Sequence, residues 1–227
     1  MARQPAHVVE RDVRVRANGV ALEGTLSVQP DAAGVVLFAH GSGSGRFSTR
    51  NRFVAEVLQQ GGLATLLIDL LTSDEDEVDQ LTRQYRFDIP RLAGRLVGTI
   101  DWLAEQTESA ALPVGLFGAS TGGGAALIAA AERSDRVVAV VSRGGRPDLA
   151  GDALPMVRAP TLLIVGGDDE QVIELNRQAM ARMKGQVELE IVPGATHLFE
   201  EPGALEAVAR LAREWFVSQV RSGTLAR

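Results

Sequence analysis

The sequence contains no cysteine, which excludes a disulfide framework, a thiolate metal site and a cysteine nucleophile. Histidine is also scarce: His7, His40 and His197 are too few for a histidine-rich centre, so we expect no metal site. No apolar run approaches the roughly 20 residues of a membrane-spanning helix. The first residues, MARQPAHVVERD, lack the apolar core of a signal peptide. We therefore expect a cytoplasmic protein without a membrane span.

Basic charge is in the minority, since 23 Lys and Arg stand against 29 Asp and Glu. The formal charge of −6 disfavours nucleic acid as a partner, because such a surface needs a concentrated basic patch. Part of the acidity lies in SDEDEVD, Ser73 to Asp79, which we interpret as a solvated loop. The chain has 227 residues, 45% of them apolar, and is predicted to form one domain, 1–227, with its oligomeric state left open.

Alternating and apolar runs predict a β-sheet. DVRVRA and VALEGTLSV alternate in polarity around Asn18-Gly19, which is the strongest short-range signal for an antiparallel hairpin. Six later runs are almost wholly apolar, which indicates strands buried on both faces, as in a parallel sheet covered by helices. These runs are Gly34–His40, Leu63–Leu70, Leu112–Ala119, Arg136–Ser142, Pro160–Gly166 and Val187–Val192.

Helical segments alternate with these strands. They are predicted near Asn51–Gln60, Pro90–Gln106, Thr121–Arg133, Gln171–Met183 and Gly203–Val220. The two long connections that remain, Leu71–Ile89 and Arg143–Arg158, are predicted to be irregular. Strand-helix alternation predicts an α/β fold, with a mostly parallel central sheet, an N-terminal antiparallel hairpin and helices on both faces.

A serine stands at the end of one buried strand, in VGLFGASTGGGAAL. Gly118 to Gly122 reads G-x-S-x-G, a sharp strand-to-helix turn that holds Ser120 in a strained backbone conformation. Each glycine costs a helix about 1 kcal/mol relative to alanine, so the three glycines after Thr121 indicate a close approach of strand and helix. Functional groups of open α/β sheets lie at the carboxyl ends of strands, which favours Ser120 as a nucleophile.

Two other interpretations of this turn are a helix cap and a phosphate-binding turn. The serine can simply cap the helix that begins here. A phosphate-binding turn is less consistent with the residues, because neither G-x-G-x-x-G nor G-x-x-x-x-G-K-[ST] occurs at this position. Ser120 therefore remains a candidate nucleophile with one structural alternative.

A serine nucleophile needs a base and an acid that orients the base. His197, in IVPGATHLFEEPG, is the only histidine after Ser120 and follows the last predicted strand, so it is the candidate base. The acid is expected after TLLIV, where Asp168 and Asp169 are adjacent in GGDDEQVI. One of them is expected to accept a hydrogen bond from His197, and the other to cap the helix that follows.

An oxyanion hole is expected beside the serine. One donor is the backbone N–H of Thr121, at the positive end of a helix. The second is expected from HGSGSGR after the first buried strand, where Ser42 is our choice and Gly41 and Gly43 are alternatives. His40 is expected to orient this loop and not to act as the base, because it precedes the serine in the chain.

Together these motifs resemble the α/β-hydrolase superfamily, and within it the small dienelactone-hydrolase-like group. The resemblance runs from GVVLFAHGSGSG through GLFGASTGGGAAL and LLIVGGDDEQVI to VPGATHLFEEPGALE, in the order of the superfamily. The spacing G-x-x-D-x-x-V, from Gly166 to Val172, then implies that Asp169 is the acid of a Ser-His-Asp triad. Dienelactone hydrolases proper use a cysteine nucleophile, whereas this chain has Ser120.

The resemblance implies a serine hydrolase that cleaves esters, lactones or thioesters of small molecules without a cofactor. The serine favours a carboxylesterase-type reaction over a specific dienelactone activity. The alternatives are a non-catalytic binding or scaffold protein on the same fold, and acyl transfer or perhydrolysis by the same triad. Only a short segment follows the sixth strand, so any cap over the site is expected to be minimal.

Five arginines lie on segments that border the expected site. A bidentate arginine would suit a substrate carboxylate. The interpretation that we favour for all five is surface exposure. They are Arg46, Arg50, Arg83, Arg86 and Arg143.

Overall fold

An eight-stranded sheet forms the centre of the molecule. The computed structural model describes residues 8–225, and the segment 1–7, which belongs to the stretch predicted to lack a signal peptide, lies outside the described residues. The strands are β1 (Val9–Ala17), β2 (Val20–Val28), β3 (Val35–Ala39), β4 (Ala64–Ile68), β5 (Val114–Ala119), β6 (Val137–Arg143), β7 (Thr161–Gly166) and β8 (Val187–Val192).

The strands follow the order β1-β2-β4-β3-β5-β6-β7-β8. β1 pairs with β2 and β2 with β4 in antiparallel fashion, and the other neighbouring pairs are parallel. Asn18 and Gly19 join β1 to β2 with φ of 50° and 80°, the positive values that a tight hairpin turn requires. The predicted mostly parallel sheet with an N-terminal antiparallel hairpin is confirmed.

Helices cover both faces of the sheet. One hydrophobic cluster joins the third and fourth helices to β1 and β3, and a second joins the first and last helices to the opposite face. None of the helices within residues 8–225 has the length and apolar character that crossing a bilayer requires. The helices are α1 (Thr49–Gln60), α2 (Ser73–Thr82), α3 (Ile89–Glu105), α4 (Thr121–Glu132), α5 (Glu170–Arg182) and α6 (Ala204–Leu225).

The acidic segment SDEDEVD is helical, so the prediction of a solvated loop is wrong. Thr72 caps α2 through a hydrogen bond from the backbone N–H of Glu75, whose carboxylate accepts from the N–H of Thr72. This capping box satisfies two backbone donors, and three acidic residues in the first turn interact favourably with the helix dipole. The signal T-x-x-E was present in the sequence and outweighs the density of like charge.

The predicted irregular stretch after the sixth strand is also more ordered than expected. Arg143 belongs to β6, and Pro147–Met156 forms a 3₁₀ segment that is interrupted at Gly151, where φ is 52°. The segment packs against α4 and α5. These ten residues lie between β6 and β7, where the sequence predicted at most a minimal cap.

The order in which the chain adds strands to the sheet reverses at β3. It passes from β3 to β4 on one side and then returns to place β5 on the other side of β3. The crevice at the carboxyl ends of two such strands is where open α/β sheets bind ligands. The loop that begins at His40 and the turn at Ser120 both start at this crevice.

Candidate active site

Ser120 occupies a strained turn between β5 and α4. Its φ of 50° and ψ of −122° are unusual for a residue with a side chain. Its backbone N–H donates to the carbonyl of Arg143 on the neighbouring strand, 3.2 Å away. The side chain makes no capping hydrogen bond to α4, which argues against a purely helix-capping role.

The glycines around the serine are required by close backbone approaches. A Cβ at Gly118 would lie 2.6 Å from the carbonyl oxygen of Gly122. A Cβ at Gly122 would lie 2.7 Å from the carbonyl oxygen of His40 and closer still to that of Ala39. Real Cβ atoms do not tolerate such distances from backbone atoms, so both positions require glycine, and the weak helix propensity of Gly122 in α4 is the cost of the turn.

The structure brings Ser120, His197 and Asp169 together from three loops. His197 Nδ1 lies 2.6 Å from Oδ2 of Asp169, and His197 Nε2 lies 3.4 Å from Oγ of Ser120. A carboxylate only accepts, so Nδ1 carries the proton and Nε2 is free to accept one from the serine. The 3.4 Å separation is long for a hydrogen bond.

The two adjacent aspartates differ in position. Asp169 is half-buried beside the imidazole, whereas Asp168 is exposed. The expectation that the aspartate not facing His197 caps α5 is wrong for Asp168, because Asp169 occupies the N-cap position. The side chain of Asp169 makes no capping hydrogen bond either. The carboxylate of Asp169 faces His197 instead.

The His197 loop is held by residues that the sequence did not single out. Glu201 accepts hydrogen bonds from the backbone N–H and the hydroxyl of Thr196, at 3.1 and 2.6 Å. These hydrogen bonds lower the pKa of the Glu201 carboxyl. Phe199, two residues after His197, is buried and has a φ of 55°. A glutamate soon after a candidate base, as in HLFEE, was the available signal.

The loop after β3, which the sequence predicts to supply an oxyanion donor, lies against the serine turn. The backbone N–H of Ser42 donates to Oγ1 of Thr121, 3.1 Å away. The Ser42 N–H therefore lies beside the residue that follows Ser120. Thr121 begins α4, where backbone N–H groups have no acceptor within the helix.

His40 ties this loop to the adjacent strand end. Its Nε2 accepts from the backbone N–H of Leu70 at 3.0 Å, and its Nδ1 lies 2.9 Å from the carbonyl oxygen of Gly41. A carbonyl oxygen only accepts, so the imidazole is neutral with its proton on Nδ1. Burial lowers the pKa of His40, against smaller opposing effects of Gly41 and Asp69. Both ring nitrogens are occupied, consistent with a positioning role.

A cleft of about 910 Å³ opens beside the loop that follows β3. It is lined by residues 40–45, by Asp69 and by the polar side of α2, while Ser120 and His197 lie outside its lining. Asp79 in its wall accepts from the backbone N–H groups of Tyr85 and Arg86. Within residues 8–225, no group of three His, Cys, Asp or Glu side chains is arranged to hold a metal ion.

Surface exposure, predicted for five arginines, is found for Arg83. Arg46, Arg50 and Arg86 are half-buried, and they pair with Asp69, Glu200 and Asp79 respectively. The prediction is wrong for Arg143, whose residue is only 7% exposed. Its position at the end of an apolar strand was the signal that we did not use.

The chain is similar to curated proteins of Mycobacterium tuberculosis. Two relatives, from strains CDC 1551 / Oshkosh and H37Rv, are each 57% identical over 211 residues, which make up 93% of this chain. Both are provisionally named phosphoribosyl transferases. The matched region is 47% of each relative, so the chain spans about half of their length.

Solved structures resemble the chain along nearly its whole length. A dienelactone hydrolase from Anabaena variabilis ATCC 29413 is 61% identical, with a TM-score of 0.92 over 93% of this chain and 98% of that one. Est1E from Butyrivibrio proteoclasticus shares the fold at 18% identity, with a TM-score of 0.77 over 92% and 99%. The α/β-hydrolase fold is thereby confirmed. The model of the dienelactone hydrolase family matches residues 23–219, and the chain belongs to this family.

Proposed function

We propose that the protein is a serine hydrolase that cleaves carboxylic esters, lactones or thioesters of small substrates through an acyl-enzyme. The observation that carries the proposal is the alignment of Ser120, His197 and Asp169, with the imidazole bonded to the carboxylate at 2.6 Å and facing the serine. This arrangement supplies a nucleophile, a base and an orienting acid in one place. The proposed chemistry requires no cofactor.

In the first half of the reaction, His197 Nε2 takes the proton of Ser120 as Oγ attacks the substrate carbonyl carbon. Asp169 keeps the proton of His197 on Nδ1 and stabilises the imidazolium that forms. The tetrahedral intermediate collapses when the carbon–oxygen or carbon–sulfur bond to the leaving group breaks. His197 gives its Nε2 proton to that leaving group, and the acyl group remains on Ser120.

The negative charge on the carbonyl oxygen needs two donors. The N–H of Thr121, at the start of α4, and the N–H of Ser42 are the proposed pair. Ser42 donates to the Thr121 hydroxyl in the structure, so in the proposed reaction the substrate oxygen replaces that hydroxyl as its acceptor. A donor of this kind contributes about 3 kcal/mol to transition-state stabilisation.

In the second half, a water molecule attacks the acyl carbon. His197 takes a proton from the water and returns it to Ser120 Oγ as the acyl–serine bond breaks, which releases the acid and restores the enzyme. Phosphoribosyl transfer, which the names of the longer relatives suggest, displaces a group at a sugar carbon and forms no acyl-enzyme. The Ser–His–Asp arrangement therefore favours ester cleavage for this chain.

A pre-steady-state burst tests the proposal. We would mix the protein with p-nitrophenyl acetate, butyrate and octanoate and measure nitrophenol release. The expected result is a burst stoichiometric with enzyme that is lost in Ser120→Ala and retained in Ser218→Ala, a change at an exposed serine on α6. A burst that survives Ser120→Ala, or no reaction with any ester, would contradict the proposal.

A further inference from the structure

Asn176 is a fully buried polar residue on α5. Its Nδ2 lies 2.7 Å from the carbonyl oxygen of Val172 and 3.0 Å from that of Gly145. Carbonyl oxygens only accept, so this atom is the amide nitrogen, and each of its two protons has an acceptor. Its Oδ1 has no hydrogen-bond partner among the described residues. Burial of an amide is costly unless it is hydrogen-bonded, so only the bonds that Nδ2 donates offset the cost of this side chain.

The turn that accepts the bond from Asn176 also holds Ser120. The backbone N–H of Ser120 donates to the carbonyl of Arg143 at 3.2 Å, and the carbonyl of Ser120 accepts from the N–H of Arg146 at 3.0 Å. Ser120 has a φ of 50°, and a strained conformation of this kind persists only where the surrounding structure holds it. Residues 143–146 therefore fix the backbone from which the proposed nucleophile projects.

Two glycines form the centre of this turn. Gly144 has a φ of 50°, a conformation that side chains disfavour. A Cβ at Gly145 would overlap Oγ of Ser142, so no side chain fits there either. The two positions thus have no side chains that could anchor the turn by packing, and hydrogen bonds take that role. The N–H of Gly144 donates to the carbonyl of Ile164 at 2.7 Å, and the carbonyl of Gly145 accepts from Asn176.

The helix α5 also carries the proposed acid. Asp169 occupies the N-cap position of α5, and Asn176 follows about two helical turns later, on the same side of the helix. Asp169 faces His197, and a Cβ at Gly144 would lie 3.6 Å from Cε1 of the same imidazole. Asn176 therefore joins the helix that begins at the acid to the turn that holds the nucleophile.

We propose that Asn176 is a positioning residue for the proposed hydrolysis, and that its bond to Gly145 keeps Ser120 Oγ within reach of His197 Nε2. This proposal rests on the proposed function and adds a residue that does not touch the reacting atoms. The separation between Oγ and Nε2 is already 3.4 Å, near the upper limit of a hydrogen bond. A further displacement of about 1 Å is enough to lower a reaction rate by on the order of 100-fold. A bond that prevents such a displacement therefore contributes to the rate without contacting the substrate.

Two substitutions remove the bond to Gly145. Asn176→Leu has a similar branched shape and no donor. Asn176→Ser is too short to reach Gly145, but its hydroxyl can donate to the carbonyl of Val172, four residues earlier, as Thr99 does to Arg95 in α3. With p-nitrophenyl butyrate, the rate constant of the burst should fall by roughly 10- to 100-fold in both variants. The amplitude of the burst should equal that of wild type, because every folded molecule is still acylated.

The burst separates positioning from a purely structural role. A structural defect reduces the fraction of folded molecules, which lowers the amplitude of the burst and leaves its rate constant unchanged. Ala179→Gly is the matched control, because Ala179 is buried on α5 and the change weakens the helix without removing a hydrogen bond. The burst rate constant of this control should equal that of wild type.

Hydrogen exchange tests the same contact without turnover. The N–H of Arg146 is bonded to the carbonyl of Ser120, and the N–H of Val140 on β6 is also hydrogen-bonded. The ratio of the exchange rate of Arg146 to that of Val140 is measured by NMR. This ratio should rise by about tenfold or more in Asn176→Leu and keep its wild-type value in Ala179→Gly.

The outcomes distinguish this proposal from the one on which it rests. Burst rate constants equal to wild type in Asn176→Leu and Asn176→Ser would overturn the role of Asn176 and leave the hydrolase proposal standing. A lower amplitude at an unchanged rate constant would also overturn it, because that pattern indicates a structural role. If Asn176→Leu does not fold, Asn176→Ser replaces it in both measurements. Absence of any Ser120-dependent burst in wild type would overturn the hydrolase proposal itself, and an unchanged exchange ratio would overturn the contact between Asn176 and the turn independently of it.

Discussion

Nδ1 of His197 lies 2.6 Å from Oδ2 of Asp169, although the two residues are 28 positions apart in the chain. The carboxylate is 16% exposed and the imidazole 38%, so the bond is only partly open to solvent. A partly buried carboxylate of this kind fixes the imidazole in the tautomer that presents Nε2 to Ser120. The proposed base is therefore oriented before any substrate arrives.

Asp169→Asn should lower kcat for p-nitrophenyl butyrate by about 10⁴-fold, because an amide stabilises the wrong tautomer and cannot stabilise the imidazolium. Steady-state kinetics measure the change. Asp168→Asn is the matched control, since Asp168 is adjacent but exposed, and it should stay within a few-fold of wild type. A larger loss of kcat in Asp168→Asn than in Asp169→Asn would indicate that Asp168 orients His197.

Gly122→Ala should destabilise the fold by more than about 2 kcal/mol, because its Cβ would overlap the backbone carbonyls of Ala39 and His40. Urea denaturation gives the free energy of unfolding. Gly94→Ala in α3 is the control: its Cβ would meet only the end of the flexible Asn18 side chain, so its effect should be small. Equal stability of the two variants would refute the close approach at the serine turn.

The free energy of unfolding should depend on pH because His40 is neutral in the folded protein. Burial lowers the pKa of His40 below 6.5, so the unfolded chain takes up a proton more readily than the folded one. The contribution of the neutral His40 to the free energy of unfolding is therefore complete above pH 6.5. It is lost as pH falls below that value, by at most about 1.4 kcal/mol per pH unit. The difference in the free energy of unfolding between wild type and His40→Gln, measured by urea denaturation, should become smaller as pH is lowered from 7.5 to 5.5. An advantage that grows on acidification would contradict a buried neutral imidazole.

Asp79→Asn should lower the free energy of unfolding by about 3 kcal/mol, because it leaves the half-buried guanidinium of Arg86 without its anion. Desolvation raises the pKa of Asp79, but hydrogen bonds from Arg86 and Tyr85 outweigh it and hold that pKa below 3.8. The contribution of the ionised Asp79 carboxylate to the free energy of unfolding is thus present above pH 3.8 and is lost as pH falls through the lowered pKa. Thermal denaturation at pH 7 measures the loss, and Glu77→Gln, at an exposed site on α2, should cause little change.

Local patterns in the sequence were sufficient to predict most of the fold. The alternation around Asn18-Gly19 and the apolar runs identified every strand, because side-chain periodicity records which faces are buried. They failed at α2, where charge density was given more weight than the T-x-x-E capping signal at Thr72. A cap acts over four residues and is easily hidden by the composition of the segment around it.

The sequence by itself determined the chemical groups of the candidate site: a serine in a G-x-S-x-G turn, one later histidine and two adjacent aspartates. Only the tertiary structure decided which aspartate faces His197, which acceptor the Ser42 N–H meets, and that Arg143 is buried. The physical reason is range. Strand and turn propensities act between near neighbours, whereas hydrogen-bond pairing and the burial of a charge depend on loops that meet only when β3, β5, β6 and β7 align their carboxyl ends in one sheet.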